Sequence, residues 1–150
     1  MATKVASAEW TEATTQRLNK LVEIGMPKDI ATSLITHCKA TAKDPVHCIK
    51  IGASILGAES SLGNRCYKNN CFWILAWKIS YDNKDVGVKE WVSKYNKWWY
   101  KQKNPDWFYS TRWNLPITRY CTSEESSWTK VGCPNGNKNA WKVWNQLSNF

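Results

Sequence analysis

Apolar positions recur at three- and four-residue steps through the first half of the chain, the spacing of one helix face. Ser7 is placed to cap a first helix carrying Trp10, Thr14, Leu18, Leu21 and Val22, stopped at Gly25. Pro27, suited to a first helical turn, opens a second with Ile30, Leu34, Ile35 and Cys38 on one face. Asp44-Pro45 reads as a cap followed by a proline at the first helical position. It predicts a third helix running to about Ser61, with Gly63 as its stop. Between Asn64 and Asn83 the pattern changes. Turn residues come first, then an apolar run too short for its period to be read, so an irregular segment or a short strand pair is predicted. Asp85 to Val88 leads into a helix carrying Val88, Trp91, Val92 and Tyr95 and ending near Tyr100, with Asp85 as its cap and Glu90 on its solvated face. Lys101 to Gly136 is loop-rich, with Pro105, Pro116 and Pro134. A last helix from Asn137 to Ser148 buries Ala140, Trp141, Trp144 and Leu147. With no repeat, linker or low-complexity tract, residues 1–150 read as one mainly α domain with an irregular middle.

Composition narrows the class. Among 150 residues, 43% are hydrophobic and 22% charged, which excludes a disordered tail. No apolar run reaches the ~18 residues of a spanning helix, so no transmembrane segment is expected. A net charge of +9 and 11 Trp against 7 Gly point to a polyanionic or sugar-rich partner: nucleic acid, anionic membrane or cell-wall polymer. The segment Lys97 to Trp113 interleaves Trp98, Trp99, Tyr100, Trp107, Phe108, Tyr109 and Trp113 with Lys97, Lys101, Lys103 and Arg112. Such rings stack on sugars or on single-stranded bases. Most of them read as core, with Tyr109 and Trp113 assigned to a cleft.

The six cysteines fall in three local couples, Cys38/Cys48, Cys66/Cys71 and Cys121/Cys133. Read as disulfides, they fit an exported protein, secreted or in the cell envelope. The other readings are zinc ligation and reduced core cysteines. The His37-Cys38 and His47-Cys48 dipeptides match no standard zinc spacing, so no metal and no cofactor is expected. Met1 to Trp10 has no apolar core, so no signal peptide is visible. A removed leader, or release through a holin-type pore as for a phage lysin, would reconcile the two.

One carboxylate stands out. Glu59 lies three residues after Leu56 and four after Ile55, on the inward face set by Val46, Ile49, Ala53, Leu56 and Leu62. It is the only acidic residue between Asp44 and Asp82. Burial disfavours the charged form of a carboxyl group, as the general acid of a glycoside hydrolase requires. The plainer reading is a helix-end carboxylate paired with Arg65 or a lysine.

The run ILGAESSLGNRCYKNNCFWI, Ile55 to Ile74, resembles the core signature of peptidoglycan glucosaminidases of the glycoside hydrolase family 73 type. That signature is a helix ending in apolar-Ala-x-Glu-Ser-x-x-Gly, a short loop, then Asn-Asn-x-Phe-Gly-Ile. Glu59, Ser60 and Gly63 match the first block; Asn69, Asn70, Phe72 and Ile74 match the second. The Glu-Ser helix also resembles the lytic transglycosylases, which share the lysozyme-like fold. Asp85 to Val92 is similar to the family's later helix, and Tyr120-Cys121-Thr122 to its cleft-lining Tyr-Ala-Thr.

The resemblance implies a lysozyme-like α+β fold with a cleft and no cofactor. It implies Glu59 as general acid, and Ser60, Asn70, Phe72 and Tyr120 as substrate-side residues; Trp73, Tyr109 and Trp113 join them as candidate stacking rings read from the residues themselves. The chain departs from the pattern in two places. Cys66 and Cys71 bracket the loop between the blocks, and Trp73 stands where the family has Gly. Trp73 is either a sugar-stacking platform or the product of a UGA codon that the source reads as Gly, which the coding DNA decides.

The usual mechanism needs a second carboxylate. Asp82, Glu124 and Glu125 are the candidates, ahead of Asp85, Glu90 and Asp106. The resemblance implies that it is dispensable when the substrate's N-acetyl group or a sugar hydroxyl attacks. The expected activity is cleavage of β-1,4 bonds in peptidoglycan or a related N-acetylhexosamine polymer, by hydrolysis or transglycosylation, by a monomer. The charge is then an aid to wall adsorption rather than a nucleic-acid signal. A non-catalytic basic and aromatic module for wall glycan or single-stranded nucleic acid is the rival.

Overall fold

The computed structural model describes residues 10–72, 74, 79–97 and 133–150, the last stretch with side chains from Asn139 onward. Five helices are described. Helix α1 (Glu12–Glu23) is capped by Thr11, whose side-chain oxygen accepts from the Thr14 amide at 3.3 Å. It therefore starts later than a Ser7 cap would place it, and Trp10 precedes it; Ser7 lies outside the described residues. Thr14, Leu18 and Leu21 turn inward, whereas Val22, expected on that face, is exposed. Gly25, at φ +114, ends the helix as expected.

Helix α2 (Lys28–Thr41) follows Pro27, which occupies the N-cap, and it buries all four positions expected on its inner face. Helix α3 (Pro45–Ser60) has the expected start: Asp44 Oδ1 accepts from the His47 amide at 3.0 Å, and Pro45 fills the first turn. It runs to the expected end, with Ser61 rather than Gly63 as its stop. Ser61 caps it in the left-handed region (φ 51), and the Leu62 amide reaches back to the Leu56 carbonyl at 2.9 Å. The Cys38–Cys48 disulfide ties the last turn of α2 to the first turn of α3.

The expectation of a one-sided α3 needs correction. Ile49, Ala53 and Leu56 are buried as predicted, but so are Ile51, Ser54 and Ile55 on other sides, while Val46 and Leu62 are only half-buried. A helix apolar all round is a central helix. α3 packs against α2, α4 and α5, and two glycines set how closely. A Cβ on Gly52 would lie 2.7 Å from Leu34 Cδ1 and 3.0 Å from Trp91 Cζ3; one on Gly57 would lie 2.5 Å from Val143 Cγ2.

Helix α4 (Lys84–Lys97) carries Val88, Trp91, Val92 and Tyr95 inward, as their spacing predicts. Its cap is Asn83 rather than Asp85: Asn83 Oδ1 accepts from the Val86 amide at 2.9 Å. Glu90 lies on the exposed side, 3.9 Å from Lys94. Helix α5 (Cys133–Gln146) begins earlier than Asn137, running through Pro134 and Gly136. Proline in a first turn removes no helical hydrogen bond, so the segment read as loop begins the helix instead. Ala140, Val143 and Leu147 are buried, with Trp141 and Trp144 half-buried.

Among the described residues there is no strand; the middle segment is irregular, with one isolated antiparallel bridge between Tyr67 and Asn70. No described helix is long and apolar enough to cross a membrane.

Candidate functional site

Glu59 sits in the last turn of α3 and is half-buried. It lies seven residues beyond Gly52 and four beyond Ile55, on the stripe that faces Leu34 and Trp91. Ser60 beside it is 3% exposed, and its hydroxyl works within the chain. Ser60 Oγ donates to the Leu56 carbonyl at 3.3 Å and accepts from the Gly63 amide at 3.0 Å. The Arg65 amide bonds the Ser60 carbonyl at 2.9 Å. Ser60 therefore shapes the exit from the helix that carries Glu59.

After that exit the chain makes a tight turn. The Asn70 amide bonds the Tyr67 carbonyl at 2.9 Å, and the two central residues, Lys68 and Asn69, have φ 53 and 61. Positive φ at both centres is the type I′ geometry of a two-residue hairpin. Cys66 and Cys71 flank it and form a disulfide with Cα atoms 4.3 Å apart, close to the ~4.5 Å of a non-hydrogen-bonded antiparallel pair.

Asn70 and Phe72 both point into the protein. Asn70 Nδ2 donates to the carbonyls of Ile74 (2.7 Å) and Ile79 (3.4 Å), and its Oδ1 accepts from the Ile74 amide at 2.9 Å. Phe72 is fully buried and stacks on Trp91, with ring centroids 4.7 Å apart and planes 10° from parallel. Phe72 thus anchors the chain after the turn to the face of α4, while Asn70 ties that chain to itself at Ile74 and Ile79. Trp91 itself is core.

An open groove of about 1060 Å³ runs along the outer side of α2 and the start of α4, with walls that include Lys28, Ser33, His37, Asn69, Asp82 and Asp85. Glu59 is not part of its described wall, so the groove brings Asp82 together with Asp85 but not with Glu59. Asp82 is exposed. Asp85, freed from capping by Asn83, turns to α2. Ser33 Oγ donates to Asp85 Oδ1, and His37 Nε2 lies 2.9 Å from the same oxygen. The Ser33 hydrogen bond, with His37 and Lys89 behind it, holds the Asp85 carboxyl below its ordinary value, against a smaller opposing effect of burial. Serine and histidine on one carboxylate oxygen make a clamp between helices rather than an activated serine, because the imidazole does not stand between hydroxyl and carboxylate. Nothing in the chain's order announces this cluster: Ser33 and His37 stand far from Asp85, and only the fold brings them together.

A second polar cluster lies at the other end of α3. His47 Nδ1 is 2.7 Å from the Tyr95 hydroxyl, and the Lys50 ammonium lies 4.1 Å from the centroid of the Trp144 ring. Burial, and then the charge of Asp44, push the Tyr95 phenol up. Among the described residues no group of three or more His, Cys, Asp or Glu is placed to hold a metal ion.

Trp73, Tyr109, Trp113, Tyr120, Glu124, Glu125 and Asp106 lie outside the described residues. So does Cys121, and with it the expected bridge to Cys133; the other two expected bridges are formed. No protein-family model matches the chain, and neither curated proteins nor solved structures yield a match.

Proposed function

We propose that the chain is a cell-wall glycosidase of lysozyme-like architecture that cleaves β-1,4 bonds of peptidoglycan or a related N-acetylhexosamine polymer, with Glu59 as general acid. The observation that carries the reading is the setting of Glu59. It is a half-buried carboxylate in the last turn of the apolar central helix, on the stripe of Gly52 and Ile55, directly before a helix exit fixed by Ser60, beyond which a disulfide closes the next turn. The resemblance of Ile55 to Ile74 to the glucosaminidase signature supports it, and the mainly helical architecture is consistent with it. Two disulfides and a net charge of +9 suit an oxidising compartment and a wall bearing carboxylates.

In this reading Glu59 donates its proton to the glycosidic oxygen as the bond to the anomeric carbon breaks. The positive charge that develops is met by the substrate's own N-acetyl carbonyl, with water completing hydrolysis, or by a sugar hydroxyl, giving an anhydro product. Asn70 and Phe72 act through the backbone they anchor, and Ser60 through the helix end it caps. The candidates for a carboxylate partner are Glu124 and Glu125, outside the described residues, ahead of Asp82, whose groove wall does not include Glu59.

Digestion of purified peptidoglycan, followed by mass spectrometry of the fragments, tests the reading. New reducing ends establish a hydrolase and anhydro-sugar ends a transglycosylase. Intact polymer, together with oligonucleotide binding that weakens steeply with salt, establishes the binding module instead.

A further inference from the structure

The two described disulfides sit in opposite surroundings. Cys38 and Cys48 are both 0% exposed, inside the packing of α2 on α3. Cys71 is also buried, but its partner Cys66 is half-exposed and lies between Arg65 and Lys68 in sequence, both exposed. A partly exposed cysteine with basic neighbours in sequence is a candidate for thiol exchange. The turn closed by this bridge has two non-glycine residues, Lys68 and Asn69, in the left-handed region, a conformation that L side chains adopt at a cost.

That same turn is a seat for the start of α4. The Tyr81 amide donates to the Lys68 carbonyl at 3.0 Å, and Asn69 Nδ2 donates to the Tyr81 carbonyl at 2.9 Å. Gly87 lies so close that a Cβ on it would be 2.6 Å from the Asn69 carbonyl oxygen. Asn69 also forms part of the groove wall.

We infer that Cys66–Cys71 is a thiol–disulfide exchange site whose opening by a dithiol unlocks the Tyr67–Asn70 turn from Tyr81, while Cys38–Cys48 stays closed. A thiolate of the dithiol attacks Sγ of Cys66, the half-exposed residue of the pair. The Cys66–Cys71 bond breaks, and Cys71 leaves with the electron pair and takes up a proton. The second thiol of the reductant then attacks its own sulfur in the mixed disulfide and frees Cys66, which is protonated in turn. The protein gains two electrons and two protons, and the dithiol becomes a disulfide. Lys68 and Asn69 then return to negative φ, and both bonds to Tyr81 are lost. Resting on the glycosidase reading, the reduced form is the inactive one, because the same short stretch, Ser61 to Cys66, joins the bridge to the helix of Glu59.

The test treats the full native chain with graded dithiothreitol, followed by alkylation, peptide mass spectrometry and amide hydrogen exchange. Alkylation of Cys66 and Cys71 is expected to run at least about tenfold ahead of Cys38 and Cys48. Exchange at the Asn70 and Tyr81 amides should rise by about tenfold or more while the amides of α3 stay protected. The double variant Cys66→Ser/Cys71→Ser should show the same exchange pattern without reductant, and air reoxidation of the wild type should reverse it. Equal labelling of the two pairs overturns the inference, and so does unchanged exchange at Tyr81 once Cys66 and Cys71 are alkylated. Wall clearing, measured in parallel, should fall on reduction and return on oxidation. Full clearing by the reduced form overturns the gating, whereas no clearing in either form overturns the glycosidase reading and leaves the exchange data to judge the bridge.

Discussion

Asn70 and Ile74 exchange two hydrogen bonds, side-chain amide to carbonyl at 2.7 Å and backbone amide to side-chain oxygen at 2.9 Å. With a third bond to Ile79, the Asn70 side chain is engaged inside the protein at 2% exposure. It closes a loop of backbone that no helix or sheet would satisfy. An asparagine that resembles a substrate-side motif residue is here the internal brace of its own segment.

Asn70→Asp removes both donors and places a carboxylate against two carbonyls. It is expected to lower stability by about 1–3 kcal/mol or more. Urea unfolding reads this as a lower midpoint at unchanged slope.

Gly52→Ala tests the close packing of α3. Alanine gains about 1 kcal/mol of helix propensity over glycine. Its methyl, 2.7 Å from Leu34 Cδ1 and 3.0 Å from Trp91 Cζ3, forces the core apart, typically at a cost of about 1–3 kcal/mol. The expected net result is a lower Tm by thermal melting. A rise in Tm would show that Leu34 yields freely.

Asp85 gives the protein an acid-side dependence of stability. Its carboxyl is held below the ordinary value by Ser33 and His37, so its contribution is complete above the unfolded value of about 3.9. The contribution is lost as pH falls below that value and through the lower folded one. Asp85→Asn should therefore flatten the acid limb of a Tm-against-pH curve. Because Asp85 is mostly exposed, the change should be small and should shrink with salt.

What could be read from the sequence follows the range of the forces involved. α2 and the start of α3 were legible because their signals are local: Pro27, the Asp44-Pro45 cap and three-to-four spacing of apolar residues. The cap of α4 was misassigned because Asn83 and Asp85 are equally good caps in isolation. Only Ser33 and His37, brought in by another helix, draw Asp85 away. The early start of α5 was hidden by Pro134 and Gly136, which mark a loop unless a first turn accepts the proline. The two local cysteine bridges were legible by spacing, but the left-handed Lys68-Asn69 pair between one of them was not, since neither residue is glycine. For Glu59, periodicity indicated a face; the fold adds that Gly52, two turns earlier on that stripe, packs against Leu34 and Trp91.

Glu59→Gln, assayed for clearing of a peptidoglycan zymogram with circular dichroism confirming intact helices, separates acid catalysis by Glu59 from a structural role. General acid catalysis contributes about 10²–10⁴-fold, so clearing should fall by at least about a hundredfold in a folded protein. A folded Glu59→Gln protein that clears at the wild-type rate would contradict acid catalysis by Glu59.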